Sequence, residues 1–194
     1  EKIVHTSTSE VYGNFDSIPI SEDTLNYAKS PYAATKIAAD QIAYSYYSSF
    51  NLPVSIIRPF NTYGPRQSNR AIIPTIITQV LSNSNTIKLG SLYPTRDFSY
   101  IDDTVDGFIA MAKNNNSIGE IINIGSGNPI SIKKVIIKIC ELINSGKPQF
   151  GKIKLRNDEI IKLYPNINKS RKILNWKSQI SIEKGLKKTI RFFQ

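Results

Sequence analysis

Strand-like and helix-like segments alternate along this chain of 194 residues, and the alternation limits its fold more than any other feature. Residues 2–7 and 54–58 have the composition of buried strands, and residues 31–49 between them repeat small and apolar side chains at helical spacing. A helix is the usual connection between neighbouring parallel strands. The order therefore predicts an α/β protein with parallel strand pairing in its first part.

The rest of the chain continues this alternation. Helices are predicted near residues 72–82, 102–113, 131–144 and 181–193, and strands near residues 86–89, 97–101 and 120–124. The first helix has a defined start, because the Ser30 hydroxyl can cap it and Pro31 suits its first position. The polar stretch that ends at Lys29 is predicted to be a loop long enough to be functional.

Composition excludes several classes of protein. No apolar run approaches the roughly 18 residues needed to span a bilayer, and the first residues lack the pattern of a secretory signal. The single cysteine, Cys140, lies in an apolar stretch, so we expect a buried thiol and no internal disulfide. The expectation is a cytoplasmic protein without a membrane partner.

Positive charge is concentrated in the last third of the chain. Residues 131–194 carry 16 of the 25 Lys and Arg residues but 4 of the 15 Asp and Glu residues. Such a region suits an anionic partner, for example a phosphorylated small molecule. The lysines lack the arginine and aromatic interleaving of nucleic-acid surfaces, so no nucleic-acid partner is predicted. No metal-ligand spacing occurs, and no metal site is predicted.

The candidate catalytic residues come from two segments. Tyr32 and Lys36 are four residues apart on a predicted helix and therefore share one face. An ammonium beside a phenol stabilises the phenolate, which makes a tyrosine a usable base near neutral pH. The spacing alone is weak evidence in a chain with 10 tyrosines and many lysines. The evidence is stronger because Thr8, Ser9 and Glu10 directly follow the first predicted strand and supply hydroxyls and a carboxylate.

Five segments, in this order, resemble the extended short-chain dehydrogenase/reductase family of nucleotide-sugar epimerases and dehydratases: "HTSTSEVYG", "SPYAATK", "RPFNTYGPR", "RDFSYIDDTVDGF" and "INIGSG". The likeness covers nearly the whole chain. The pattern is most similar to that of UDP-N-acetylglucosamine 4,6-dehydratases of the legionaminic acid pathway type. The resemblance implies NAD as cofactor, a nucleotide-diphosphate sugar as substrate and a homodimer in the full-length form.

The same resemblance implies a role for each catalytic residue. Tyr32 would deprotonate the sugar 4-hydroxyl while NAD takes the hydride, and Thr8 would hydrogen-bond that oxygen. Lys36 would hold the nicotinamide ribose and tune Tyr32. Glu10 would take the proton at carbon 5. Because Ser9 stands where dTDP-glucose 4,6-dehydratases place an Asp, Glu10 would serve as both base and acid, with Ser9 relaying or orienting. The hydride would return to carbon 6, which yields a 4-keto-6-deoxy sugar.

Further residues are assigned by resemblance to the two ligands. The expected cofactor contacts are Ser7, Tyr32, Lys36 and Pro59. The expected substrate contacts are Asn61, Arg66, Arg70, Arg96 and Arg156, since arginine suits phosphate groups.

Three alternatives stay open at this point. UDP-glucuronate decarboxylases share the "STSEVYG" segment, so that segment does not exclude them. Another NAD-dependent sugar epimerase is a second alternative, although the family pattern of simple 4-epimerases has no carboxylate where Glu10 stands. A protein of another class, a non-catalytic binding fragment with this fold, would use the basic region to bind nucleic acid.

The glycine-rich turn of a dinucleotide site is missing from this sequence. By resemblance, the chain starts near the fourth or fifth strand of a Rossmann sheet, so we expect the C-terminal part of a longer enzyme whose N-terminal half is absent. Residues 1–65 would form the C-terminal half of the NAD-binding domain, with 97–118 packed back on it. Residues 66–194 would form mainly a small mixed α/β substrate-binding lobe. Strands that would be central in the complete Rossmann sheet would then be edge strands with unpaired backbone groups.

Overall fold

The structure is a computed structural model that describes residues 1–13, 17–82, 86–87, 91–145, 149–150 and 160–194. Its α-helices are α1 Pro31–Phe50, α2 Ile72–Leu81, α3 Ile101–Lys113, α4 Ile132–Ile143, α5 Asn168–Leu174 and α6 Ile182–Phe193. Its strands are β1 Ile3–Thr6, β2 Val54–Pro59, β3 Asn61–Tyr63, β4 Thr86–Ile87, β5 Thr95–Tyr100, β6 Ile121–Ile124, β7 Pro129–Ser131, β8 Gln149–Phe150 and β9 Lys162–Leu163.

The first sheet is parallel throughout and has the order β1-β2-β6. Strand β2 lies in the middle, with Ile57 opposite Thr6 of β1 on one side and Ile122 of β6 on the other. Helix α1 connects β1 to β2, which is the crossover that the sequence predicts. Because the three strands run the same way, their carboxyl ends meet at one edge, where ligands bind in open α/β sheets.

The second sheet is mixed and belongs to the other side of the molecule. Strand β5 is its centre: it pairs in parallel with β3 and β9 and antiparallel with β7. A separate parallel pair joins β4 to β8. A parallel sheet beside a smaller mixed one confirms the predicted fold class.

The long helix α1 has the boundaries that its sequence predicts. The Ser30 hydroxyl accepts a hydrogen bond of 3.1 Å from the Ala33 amide, which caps the first turn ahead of Pro31. The helix ends at Phe50, because the next residue, Asn51, has a left-handed backbone with a φ of 54°. The other four predicted helices also form, as α2, α3, α4 and α6, whereas the short α5 was not predicted.

Three hydrophobic clusters hold the described elements together, and the two with most residues pack the helices onto the sheets. The larger packs α2, α4 and α6 against the mixed sheet and includes Cys140, which is buried as predicted. The smaller packs α3 against the parallel sheet through Ile57, Met111 and Trp176. Strand β6 lies in the parallel sheet although its residues fall in the range predicted for the lobe, so the chain crosses between the two parts. The division at residue 65 stays a prediction.

None of the helices in the described part of the chain is long and apolar enough to cross a membrane.

The central position of Ile57 predicts a large effect of its truncation. Ile57 is fully buried in β2, whereas Ile42 on α1 is 60% exposed. Ile57→Ala should lower the free energy of unfolding by about 2–5 kcal/mol because it leaves a cavity between the sheet and α3. Ile42→Ala is the matched control and should change it by less than about 0.5 kcal/mol. Urea denaturation followed by circular dichroism measures both. Equal losses in the two variants would contradict this packing.

Candidate active site

Residues 8–12, which include the predicted catalytic residues Thr8, Ser9 and Glu10 and are called the catalytic turn for that reason, leave the parallel sheet at the carboxyl end of β1. A short 3₁₀ helix, Ser9–Tyr12, begins there, and Thr8 caps it by accepting a 3.3 Å hydrogen bond from the Glu10 amide at Oγ1. Thr8 is partly exposed, Ser9 is buried, and the Glu10 carboxylate is exposed. The cap uses a lone pair of the Thr8 oxygen and leaves its proton free to donate, so capping and substrate contact are compatible.

Helix α1 brings Tyr32 and Lys36 to the same edge of the sheet. The Lys36 Nζ donates a 2.9 Å hydrogen bond to the carbonyl oxygen of Thr6, the last residue of β1. The Tyr32 ring is half exposed, and its phenol has no hydrogen-bond partner in the described residues. The ammonium retains two further donors, and the phenol is open to a ligand.

A pocket of about 300 Å³ lies between the catalytic turn, the start of α1 and the mixed sheet. The predicted site residues that line it are Thr8, Ser9, Glu10, Pro59, Asn61 and Arg96. Sequence reasoning missed the other residues of its wall, which are Lys29, Ser30, Ala33, Phe60, Ile160 and Leu163. The pocket therefore combines hydroxyls, one carboxylate and two cations with an apolar floor.

The polar segment 17–30 joins the walls of this pocket. Near its end, the Tyr27 amide donates 2.8 Å to the Val11 carbonyl oxygen in the catalytic turn. Near its start, Ile20 exchanges two backbone hydrogen bonds with the lobe: its amide donates to Tyr164, and its carbonyl accepts from Asn166. The predicted functional loop, called the strap (residues 17–30), thus connects the catalytic turn to the segment that contains Leu163 through backbone hydrogen bonds.

Asn61 carries an unsatisfied group at the pocket wall. Its Oδ1 is buried and has no hydrogen-bond partner among the described residues. Buried polar atoms are nearly always paired in folded proteins, so such an atom at a pocket indicates a missing donor. A sugar hydroxyl is a donor of this kind.

Arg96 sits on a well-supported strand. Its neighbour Asp97 is fully buried and accepts hydrogen bonds at its carboxylate from the amides of Ser126 (2.7 Å) and Asn128 (3.1 Å). Gly127, with a φ of 72°, supplies the left-handed residue of this turn. Burial raises the pKa of the Asp97 carboxyl, and the backbone donors oppose that shift. The "GSGN" segment is therefore a turn between β6 and β7 whose Ser126 and Asn128 amides are bound by Asp97 and are not offered to a phosphate group.

The other predicted arginines are not brought to the pocket. Arg66 and Arg70 are exposed on the loop after β3 and do not line it, and Arg66 has a left-handed backbone with a φ of 64°. Arg156 lies outside the described residues. Contact of these three residues with substrate stays a prediction.

Tyr12 fixes the end of the catalytic turn. Its hydroxyl donates 2.7 Å to Oδ1 of Asn123 in β6, and its ring lies 4.8 Å from the guanidinium carbon of Arg58 in β2. Tyr12 is fully buried, and burial raises the pKa of its phenol to about 12. It therefore remains neutral and structural, in contrast to the exposed Tyr32.

Residues 1–189 match the family model described as GDP-mannose 4,6 dehydratase. The chain belongs to this family. A curated relative is the UDP-glucuronate 4-epimerase of Thermodesulfobacterium geofontis, 37% identical over 193 residues that make up 98% of this chain and 58% of the relative. This chain thus spans somewhat more than half the length of such relatives. They include nucleotide-sugar epimerases, 4,6-dehydratases and decarboxylases.

Solved structures of family members share the fold. The UDP-glucuronic acid 4-epimerase of Bacillus cereus, in complex with UDP-glucuronic acid and NAD, is 33% identical with a TM-score of 0.90 over 99% of this chain and 61% of that one. The dTDP-glucose 4,6-dehydratase of Bacillus anthracis, in complex with NAD, is 28% identical with a TM-score of 0.89 over the same shares of the two chains. These complexes confirm the nucleotide-sugar family and NAD as its cofactor.

The residues of this family member fit the nicotinamide half of NAD. Lys36 has unused donors, Tyr32 has an open phenol, and Pro59 ends β2 at the pocket. The Ser7 hydroxyl instead donates 2.8 Å to the buried carboxylate of Asp40, so its backbone is the part available to a ligand. When bound, NAD would supply the hydride acceptor. The cofactor contacts of these four predicted residues remain predictions.

Buried Tyr12 makes the stability of the fold sensitive to alkaline pH. Its pKa is raised from 10.0 to about 12 in the folded chain, so the unfolded chain loses this proton first and stability falls as pH rises between these values. Tyr12 should account for a loss of about 1 kcal/mol between roughly pH 9.5 and pH 11. Urea unfolding of Tyr12→Phe should show a decline smaller by that amount, whereas Tyr46→Phe, a half-exposed tyrosine on α1, should behave as the wild type does. Equal declines in all three proteins would exclude this role of Tyr12.

Proposed function

We propose that this chain carries the catalytic residues and substrate lobe of a nucleotide-sugar 4,6-dehydratase that acts on a UDP- or related N-acetylhexosamine. Its product is the 4-keto-6-deoxy sugar, as in the legionaminic acid pathway type. The observation that carries the proposal is the exposed carboxylate of Glu10 in the pocket beside Thr8. Removal of water needs a base at carbon 5 in addition to the groups that oxidise carbon 4.

The first half of the proposed reaction uses Tyr32, Thr8 and Lys36. Tyr32 takes the proton of the sugar 4-hydroxyl, while the hydride of carbon 4 leaves to the cofactor. Thr8 donates a hydrogen bond to the oxygen that becomes the carbonyl. Lys36, held by the Thr6 carbonyl, places its positive charge near Tyr32 and favours the phenolate.

The second half uses Glu10. The carbonyl at carbon 4 acidifies the proton at carbon 5, and Glu10 removes that proton. Glu10 then delivers it, with Ser9 relaying or orienting, to the hydroxyl at carbon 6, which leaves as water. The proton that Tyr32 took in the first half balances the proton that carbon 5 receives at the end. Return of the hydride to carbon 6 and of a proton to carbon 5 completes the product. Glu10 suits this role because its carboxylate has no ion-pair partner in the described part of the chain, so it is not held as a structural anion.

Substrate binding is assigned to the polar rim of the pocket. Arg96 and Lys29 are the cations that line it, and they suit the diphosphate of a nucleotide sugar. Asn61 offers its unpaired oxygen to a sugar hydroxyl. We assign Arg66, Arg70 and Arg156 to outer phosphate contacts that form with substrate bound.

UDP-glucuronate decarboxylation is the second candidate. A decarboxylase is among the relatives, and the two cations of the pocket would also suit a uronate carboxylate. The two reactions separate by product mass, because one releases water and the other carbon dioxide.

The NAD site is proposed to be completed by residues beyond this sequence, since the glycine-rich turn that binds a dinucleotide does not occur in it. Within the described residues, β1 pairs with β2 alone, which leaves its other edge available to a further strand. We also propose homodimerisation through α1, where small residues such as Ala38 and Ala39 permit close approach of a second helix.

Mass spectrometry tests the reaction and the missing half together. UDP-N-acetylglucosamine is incubated with NAD and this chain, with and without a separately expressed N-terminal Rossmann half. Loss of the mass of water is expected only with the half supplied. Tyr32→Phe should reduce this product by at least about 100-fold because the base is lost. Tyr46→Phe is the matched control, since Tyr46 lies on the same helix with 51% exposure against 50% for Tyr32. UDP-glucuronate is supplied in a parallel reaction, and loss of carbon dioxide from it, or no loss of water from UDP-N-acetylglucosamine, would contradict the proposal.

Glu10→Gln should separate the two halves of the reaction. The variant retains Tyr32, so it should still reduce NAD, seen as absorbance at the reduced nicotinamide band. Loss of water should be slowed by about 100-fold or more because the base at carbon 5 is missing. Glu141→Gln, an exposed glutamate on α4, is the control and should match the wild type. Normal release of water from Glu10→Gln would exclude Glu10 as the base.

A further inference from the structure

Helix α1 is attached to the rest of the chain in an unusual way. Among its 20 residues the buried ones are Ala33 and Asp40, and large apolar side chains such as Ile42 and Phe50 are exposed. A surface helix normally docks through an apolar stripe. Here the buried residues are one small side chain and one carboxylate, and the partly buried Ile37 adds an apolar contact with the cluster around Val11 and Tyr12. The polar contact of Asp40 is therefore a main part of the attachment.

The Asp40 carboxylate receives four hydrogen bonds. Oδ2 accepts from the Ser7 hydroxyl at 2.8 Å and from Nε and Nη2 of Arg58 at 3.1 and 2.8 Å. Oδ1 lies 3.1 Å from Nε2 of His5. Asp40 and Arg58 are each 1% exposed, so the ion pair is shielded from solvent.

The donors to Asp40 come from the two strands that carry the site. Ser7 directly precedes Thr8 after β1, and Arg58 directly precedes Pro59 at the end of β2. On the helix side, Asp40 lies one turn after Lys36 and two turns after Tyr32, on the same face. One carboxylate thus joins the strand ends to the helix at the point where the catalytic groups of both must meet.

We propose that Asp40 is a positioning residue of the active site: it sets the register of Tyr32 and Lys36 against Thr8, through Ser7 and Arg58. This inference rests on the proposed function of those groups. Asp40 touches neither substrate nor cofactor in this assignment. Its effect passes through the Lys36 ammonium, which reaches the Thr6 carbonyl only while α1 is held in place.

Asp40→Asn tests the proposal. An amide has a single acceptor oxygen and turns two N–H donors toward the donors of Ser7, His5 or Arg58, so the four-bond arrangement is lost with almost no change in volume. Asp103→Asn is the matched control. Asp103 is also buried, at 3% exposure, and accepts hydrogen bonds from Ser178, Gln179 and Ile180, away from the catalytic turn.

The first readout is the reactivity of Lys36 in this chain, which requires no turnover. An amine-reactive acetylating reagent is applied, and peptide mass spectrometry gives the rate at Lys36 relative to exposed Lys184. The relative rate should rise by about threefold or more in Asp40→Asn because the Lys36 hydrogen bond is lost, and should stay at the wild-type value in Asp103→Asn. Equal rates in the two folded variants would overturn the proposal.

The second readout is the division between kcat and KM in the dehydratase assay, with the N-terminal Rossmann half supplied. Asp40→Asn should lower kcat by about 10- to 100-fold, with KM for the nucleotide sugar little changed, because the substrate contacts of Asn61 and Arg96 come from other elements. Asp103→Asn should retain both values. An unchanged kcat in Asp40→Asn would overturn the proposal.

The two readouts distinguish a failure of the proposed function from a failure of the positioning role of Asp40. A wild-type protein that releases no water contradicts the proposed function, and the Lys36 comparison then decides the positioning role alone. If Asp40→Asn does not unfold cooperatively, Ser7→Ala replaces it, since that variant removes one donor and keeps the Arg58 ion pair. Ser7→Ala should raise Lys36 reactivity in the same direction by a smaller factor, and an unchanged rate would overturn the proposal.

Discussion

The buried ion pair between Asp40 and Arg58 is the interaction on which the site depends. It joins α1 to β2, and the Ser7 hydroxyl adds the end of β1 to the same carboxylate. A buried charge is costly unless it is paired and hydrogen-bonded, so this arrangement has one well-satisfied geometry and few tolerable alternatives. The helix that carries Tyr32 and Lys36 is thereby fixed at the strand ends, although it buries little apolar surface there.

The position of the pocket is determined by the ends of the strands and helices that surround it. Parallel strands deliver the catalytic turn and Pro59 to one edge, and α1 begins at that edge with its Ser30 cap. The mixed sheet closes the opposite side with Arg96, and the strap of residues 17–30 fixes the two sides relative to each other. A site between a parallel sheet and a substrate lobe can hold a cofactor and a sugar against the same hydroxyls.

Much of this arrangement could be predicted from the sequence. The five long helices were predicted from long segments with helical periodicity. The start of α1 at Ser30 and Pro31 was predicted from the preference for a hydroxyl at the N-cap. The short strands β3, β7, β8 and β9 were not, because two or three residues carry no periodicity and their pairing is decided by tertiary contacts. Family motifs led to Thr8, Glu10 and Asn61.

Other site residues needed the structure. Lys29 and Leu163 reach the pocket through the path of the strap and of a segment far along the chain. Asp40 and Arg58 were missed too, yet each left a signal: a charge on the inward face of a helix, and an arginine ending an otherwise buried strand. Two opposite charges at positions predicted to be buried indicate that they form an ion pair, because charged residues are rarely buried without a partner. Which partner they find depends on the fold.

We propose that this site removes water from carbon 6 after carbon 4 is oxidised. The measurement that tests it most directly follows deuterium placed on carbon 4 of UDP-N-acetylglucosamine, with the N-terminal Rossmann half and NAD supplied. Transfer of the hydride from carbon 4 to carbon 6 predicts that NMR finds the deuterium in the new methyl group of the product. Deuterium that returns to carbon 4, with carbon 6 still hydroxylated, would show an epimerase and would contradict the account.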